Sequence, residues 1–324
     1  MAGGEVIYAN EFIDSARETY ALNFPGVNID SRDIRSISPD DVLEACDLEA
    51  GELEIMDGSP PCESFSPSGM LEKGWGRQRE YSGRTQRTDD LFFEYVRMLR
   101  GIKPKVFVAE NVSGLVRGVA KGYFKNILAE LKSSGYRIEA RVLDAQFLGV
   151  PQIRKRIIFV GVREDIGIDP VFPKPLPYWY GLSEIFPYML RYSAGGYAGR
   201  WKDASLPYGT VTKSGARLTK TAYKSANGYV EVLSESGCIE RRKFTIDELK
   251  LISGFPSDFR LSGSFDEQWE RLGNAVPPVM MFHVADAIYK NILAPLARSR
   301  RGESHESQSH QTEGREEKSR AALA

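Results

Sequence analysis

Three short apolar runs, each set against a polar segment, constrain this chain more than any other feature. Leu53 to Met56 leads into Gly58-Ser59-Pro60-Pro61-Cys62-Glu63-Ser64-Phe65-Ser66, which holds a cysteine between a rigid proline pair and a small polar loop. About fifty residues further on, Val106 to Ala109 runs into Glu110-Asn111-Val112. A third run, from Arg156 to Gly161, follows Gln152-Ile153-Arg154-Lys155. Each reads as a buried strand with reactive or charged side chains at one end.

Helical segments separate the runs. Val6 to Ala9 is a short strand candidate, and the helix predicted through Ser15 to Asn23 stops before Pro25. Asp89 to Arg100 carries Leu91, Phe92, Tyr95, Val96 and Leu99 at helical spacing. Tyr123 to Ser133 does the same with Phe124, Ile127, Leu128 and Leu131, and Gly135 ends it. Arg137 to Leu143 is another strand candidate. The alternation predicts an α/β fold with an open, mostly parallel Rossmann-like sheet covered on both faces. Ligands in such sheets gather beyond the carboxyl ends of the strands.

Periodicity fades after Asp165, and the stretch from Pro173 to Pro207 is rich in Pro, Gly, Tyr and Trp. It reads as a small, irregular, strand-rich second domain. A helix near Thr245 to Ser253 follows, with Thr245 as cap and Glu248 answering it. After Pro278 a last helix turns Phe282, Ala285, Ile288 and Ile292 inward. The expected division is 1–170, 171–240, 241–295 returning to the first domain, and a disordered polar tail over 296–324.

Composition narrows the setting. Three cysteines without regular spacing argue against a disulfide scaffold and against a zinc site, so no metal is expected. No apolar run approaches the roughly 20 residues of a membrane span, and no basic-then-apolar leader opens the chain, so the expected compartment is the cytoplasm. Net charge is -1, yet Arg200 to Lys243 carries nine basic and four acidic residues. Lys73, Arg77, Arg79, Arg84 and Arg87 add a second basic stretch. Such patches either neutralise phosphates or are simply solvated surface.

Cys62 beside its prolines is either a nucleophile or a small buried hydrophobe. Glu110 and Asn111, directly after an apolar strand, need hydrogen-bond partners or a substrate. In a partly dry cleft Glu110 acquires a raised pKa and can donate a proton. Arg154 and Arg156 alternate on an extended segment, so they share a face, either as fixed donors or as a surface ion-pair set.

Together these motifs resemble the DNA cytosine-C5 methyltransferase family, from Glu5 to about Leu293. The Pro-Pro-Cys loop, Glu110-Asn111-Val112, Gln152-x-Arg154-x-Arg156 and Gly273-Asn274-Ala275-Val276-Pro277-Pro278 occur in the family's order. Arg242-Lys243-Phe244-Thr245 through Gly254-Phe255-Pro256 matches the helix before the last motif. The resemblance implies that Cys62 adds to C6 of a cytosine flipped out of double-stranded DNA. Glu110 binds N3 and the amine, Arg156 contacts O2 with Arg154 beside it, and Asn111 positions the nucleophile loop. It implies S-adenosyl-L-methionine as methyl donor, held by Glu11, Asp33, Ile34, Pro60, Leu91, Asn274 and Val276. Met70 to Arg87, with Ser66, would close over DNA. The stretch from Pro173 to Ile239, closed by Thr210-Val211-Thr212, takes the target-recognition position. Tyr178, Trp179, Tyr192, Tyr197, Arg200, Trp201 and Lys202 are its candidate DNA contacts or, for the aromatics, its core. A companion restriction endonuclease belongs to the same picture.

Two departures stand out. Glu63 replaces the family's usual glutamine after the cysteine. The usual first strand and its Phe-x-Gly-x-Gly turn are missing ahead of Glu5. A truncated start, another polypeptide supplying the piece, or a weak cofactor site would each account for this. The competing functions are a catalytically impaired DNA-binding remnant and a tRNA cytosine-5-methyltransferase.

Overall fold

The computed structural model describes residues 2–60, 79–81, 84–86, 91–116, 120–193, 201–212 and 228–299. The first half alternates strand and helix. β1 (Tyr8–Asn10) leads through α1 (Asp14–Asn23) to β2 (Asn28–Asp30), its parallel partner. α2 (Pro39–Cys46) starts on a capping box, with Ser38 and Asp41 satisfying each other's backbone N–H groups. It leads to β3 (Ile55–Gly58). β4 (Arg79–Tyr81) and β5 (Arg84–Gln86) form an antiparallel ribbon. α3 (Leu91–Ile102), β6 (Val106–Val112), α4 (Ala120–Lys132), β7 (Tyr136–Asp144) and β8 (Lys155–Arg163) complete the half.

The main sheet has the order β3-β6-β8-β7. β3 and β6 run parallel, but β8 is antiparallel to both β6 and β7. The sheet is therefore mixed rather than mostly parallel. The physical reason is the connection between β7 and β8, which returns the chain directly beside β7 with no crossover helix.

Both faces of the sheet are buried, and alternation sorts the side chains. Phe107, Ala109, Ile157 and Phe159 face α3 and α4, meeting Phe92, Tyr95, Leu99, Ile127 and Leu131. Val106, Val108, Ile158, Val160 and Val162 face the other way. Each such side chain contributes about 1.5–3 kcal/mol by leaving water. Gly161 lies opposite Phe107, and a Cβ at 161 would overlap that ring.

In the second half, α5 (Leu182–Ile185), β9 (Met189–Ser193), β10 (Trp201–Asp203), β11 (Tyr229–Leu233) and β12 (Ile239–Lys243) build an antiparallel sheet, order β10-β9-β11-β12. α6 (Ile246–Ile252) carries the capping box of Thr245 and Glu248. α6 and α7 (Phe265–Asn274) bury Leu249, Ile252, Trp269 and Leu272 in the same cluster as Tyr192, Tyr208, Val230 and Phe244. α8 (Pro278–Ile288) returns beneath the main sheet. Its buried positions are Met280, Val284 and Ile288, followed by Ile292. Val284 thus takes the inward place expected for Phe282 and Ala285, because the stripe runs 280, 284, 288, 292. Helical geometry continues to Ser299.

β1 pairs with β2, and β3 with β6, but among the described residues β1 and β3 do not pair with each other. A cavity separates them.

Candidate active site

β6 continues through Glu110 and Asn111, so both polar residues lie within the strand rather than after it. Register places Val112 opposite Arg156 and Glu110 opposite Ile158. The Arg156 Nε then meets Glu110 Oε1 at 2.7 Å, with both side chains largely covered. Burial raises the Glu110 pKa, while Arg156, Arg154 and a hydrogen bond with Ser59 pull it back. For Arg156, burial works against the charge and Glu110 opposes that effect.

Residues 59 and 60, just before Cys62 in sequence, are tied to the same strand. Asn111 Nδ2 donates to the Pro60 carbonyl at 3.1 Å, and Asn111 Oδ1 accepts from the Val112 amide at 2.9 Å. Ser59 bonds to Glu110. Residues 59 and 60 are therefore fixed on Glu110 and Asn111 just before Cys62. Cys62, Glu63, Ser66 and the rest of 61–78 lie outside the described residues. Serine at 59 was missed in the sequence; its signal was adjacency to the proline pair.

Arg154 and Arg156 part company, although alternation suggested one shared presenting face. Arg154 is 1% exposed, and its two Nη atoms donate to the carbonyls of Val211 and Gly273, each at 2.9 Å. Burial and the Arg156 cation both work against its charge, yet a guanidinium stays protonated. Arg154 precedes β8, so it reaches into the junction with the small domain. Gln152 works beside it, accepting from the Val211 amide and donating to Ile252 O and Ser253 Oγ. Thr210 Oγ1 donates to Ile153 O. The Gln-x-Arg-x-Arg segment therefore joins the two domains with its first two polar residues and meets Glu110 with its last.

The cavity between β1 and β3 has a volume of about 790 Å³, within the range of small-molecule sites. Glu11, Asp33, Ile34, Pro60 and Leu91 all border it. Glu11 follows β1, and its Oε1 accepts from the Ile13 amide at 2.8 Å. Burial raises its pKa, opposed by that amide and by Arg271 and Arg17. Asp33 caps the short turn Ile34–Ser36 and pairs with Arg35. Asn274 and Val276 do not border the cavity; they lie at the turn between α7 and α8. The space and the carboxylate at the end of β1 fit a nucleoside cofactor with ribose hydroxyls to donate.

On the small domain Tyr178 and Trp179 are exposed. Tyr192 is fully buried with its hydroxyl on Pro207 O at 2.6 Å, so it is core and not a DNA contact. In the β9–β10 ladder Tyr192 lies opposite Lys202, and Trp201 opposite Ser193. Trp201 lies under the Arg241 guanidinium, 4.6 Å from the ring centre. Lys202 is on β10, and Tyr197 and Arg200 lie outside the described residues.

The family model for C-5 cytosine-specific DNA methylase matches residues 1–179 and 181–290. The chain belongs to that family. Methyl transfer from S-adenosylmethionine is the chemistry that membership brings. Among its relatives, the Type II methyltransferase M.NgoPII of Neisseria gonorrhoeae is 28% identical, over 90% of this chain and 91% of that one. The Type II methyltransferase M.BspRI of Lysinibacillus sphaericus is 29% identical, covering 87% of this chain and 69% of its own. The crystal structure of S. pombe Dnmt2 methyltransferase superposes with a TM-score of 0.59 at 15% identity, over 89% of this chain and 92% of that one. At that identity the likeness shows the fold alone. Among the described residues no helix is long and apolar enough to cross a membrane.

Proposed function

We propose that this methylase acts on C5 of a cytosine extruded from double-stranded DNA, with Cys62 as nucleophile. The observation that carries the reading is the joint at the end of β6, where Glu110 meets Arg156 while Ser59 and Asn111 hold the approach to Cys62. Cytosine C5 is unreactive until a bond at C6 interrupts the ring's conjugation, and a thiolate is well suited to make it. As the Cys62 sulfur bonds to C6, Glu110 gives a proton to N3, and the displaced electron pair makes C5 nucleophilic. Arg156 keeps the Glu110 carboxyl oriented and faces the ring's O2 side. S-adenosylmethionine, when bound, supplies an electrophilic methyl on a positively charged sulfur. After transfer N3 returns its proton to Glu110, C5 gives its own proton to a base such as water, those electrons restore the C5–C6 double bond, and the Cys62 thiolate leaves. Glu11, Asp33, Ile34, Pro60 and Leu91 are the residues placed to hold the donor; Asn274 and Val276 would have to move toward the cavity to join them.

Further parts of the reading concern partners. The domain division at about residues 170 and 240 would place DNA recognition on the β9–β12 sheet, with the exposed Tyr178 and Trp179 as further candidate contacts. The Type II methyltransferase names of the relatives favour a restriction–modification setting; a companion nuclease and a cytoplasmic location complete the proposal.

A second reading, a base-binding protein without methyl transfer, is favoured by the separation of β1 from β3 and by the distance of Asn274 from the cavity. Incubation with labelled S-adenosylmethionine decides between them. Label on C5 of cytosine in duplex DNA supports the methylase; label on tRNA alone moves the substrate to RNA; no label with intact DNA binding supports the second reading.

A further inference from the structure

Asp57 is the strand-borne carboxylate of the cavity that the reading above leaves unused; Glu5, ahead of β1, also borders the space. It lies in β3 opposite Val108, one residue before the Gly58-Ser59-Pro60 approach to Cys62. Alternation puts it on the same face as Ile55, toward α8, whereas Met56 faces α3. Its side chain is accessible from the cavity, yet packed closely enough that burial raises its pKa. Among the described residues no cation and no side-chain donor reaches it; the sole hydrogen bond acting on it comes from its own backbone. Two of the cavity's other carboxylates differ, since Glu11 accepts from Ile13 and Asp33 pairs with Arg35. Tyr20 of α1 feels the Asp57 charge across the same space.

A carboxylate that faces the cavity with no cation beside it among the described residues is placed to meet a cationic ligand group there. The chemistry says which one. The methyl must reach C5 of a base bonded to Cys62, so the donor's sulfur has to approach the end of β3 where Asp57 stands. We infer that Asp57 is the counter-charge for the donor's sulfonium, making the site prefer the charged donor over the neutral thioether product. The inference rests on the proposed cofactor site and adds a residue that selects by charge.

Calorimetric titration of the full chain with S-adenosylmethionine and S-adenosylhomocysteine tests it. The two ligands share the nucleoside and the amino-acid end and differ in the sulfur's charge. Asp57→Asn should weaken the sulfonium compound roughly tenfold relative to the thioether, equivalent to one pKa unit of differential interaction, while thioether affinity stays within about twofold. Asp57→Ser, smaller and also neutral, should give the same shift and carries the test if the first variant does not fold. An unchanged ratio, or equal loss for both ligands, overturns the role of Asp57 while the cofactor site stands. Binding of neither ligand to the unmutated chain overturns both.

Discussion

Asn111 Nδ2 donates to the carbonyl of Pro60 at 3.1 Å, fastening the end of β6 to the residue two places before Cys62 in sequence. The bond crosses 51 positions of sequence and links two neighbouring parallel strands just past their paired residues. Asn111 is buried, so its amide has no water to fall back on. Asn111→Leu removes the donor and leaves the Val112 amide without its side-chain acceptor, at a cost of about 1–3 kcal/mol. Covalent trapping on DNA containing 5-fluorocytosine should slow at least roughly tenfold, with DNA affinity nearly unchanged. Equal loss of affinity and trapping would contradict a positioning role.

The Glu110–Arg156 pair makes a prediction about pH. Burial lifts the Glu110 pKa and Arg156 is the main force holding it down. If the protonated acid serves N3, activity falls as pH rises through that pKa. Arg156→Met removes the restraining cation, so the pKa climbs and the alkaline limb of the kcat/KM profile should move to higher pH. A limb that stays in place, whatever happens to the maximum rate, would separate Glu110 from the titration.

Glu248 predicts an acid limit to stability. Burial pushes its pKa up, but Arg242 at 2.7 and 2.8 Å, the Thr245 amide and the Tyr188 hydroxyl outweigh that and leave it lowered. A carboxylate whose folded pKa is lowered stabilises above its unfolded pKa of about 4.3 and loses that contribution as pH falls through the folded value. Arg242 is partly exposed, which reduces the pair's worth. Glu248→Gln should cost about 1–3 kcal/mol near neutrality in urea unfolding and flatten the dependence below about pH 4.

Gly58 has Tyr95 against its missing side chain, 2.7 Å from where a Cβ would stand. The Tyr95 hydroxyl also donates to the carbonyl of Val108 at 3.0 Å, so the ring braces β3 against β6. Gly58→Ala should displace it and destabilise by about 1–3 kcal/mol, read as a lower Tm. An unchanged Tm would show that the ring gives way freely.

Strands with strong apolar runs were legible because burial on both faces leaves an unbroken pattern, as in Val106 to Ala109. The polar ends were harder: Glu110 and Asn111 belong to β6 because cross-strand pairing with Ile158 and Ile157 outweighs their own poor fit to a strand. The antiparallel run of β8 was illegible, since periodicity carries no direction. At the site, residue types and their order pointed to Glu110 and Arg156, but local alternation could not separate Arg156 from Arg154. That distinction depends on Val211 and Gly273, distant in sequence and brought near by the second domain. Tyr192 read equally as surface or core until its hydroxyl found Pro207 O. Asp57 carried no signal because a single acidic residue beside a glycine is ordinary turn chemistry.

The most direct test of the account is covalent capture on duplex DNA with 5-fluorocytosine at the methylated position, with S-adenosylmethionine present. Fluorine at C5 cannot leave as the proton does, so the protein should remain attached through Cys62, giving a denaturation-resistant complex with the Cys62 peptide cross-linked to the base. Cys62→Ala should abolish that complex while duplex binding persists. A complex of equal yield from Cys62→Ala, or attachment at Cys46 or Cys238, would contradict it.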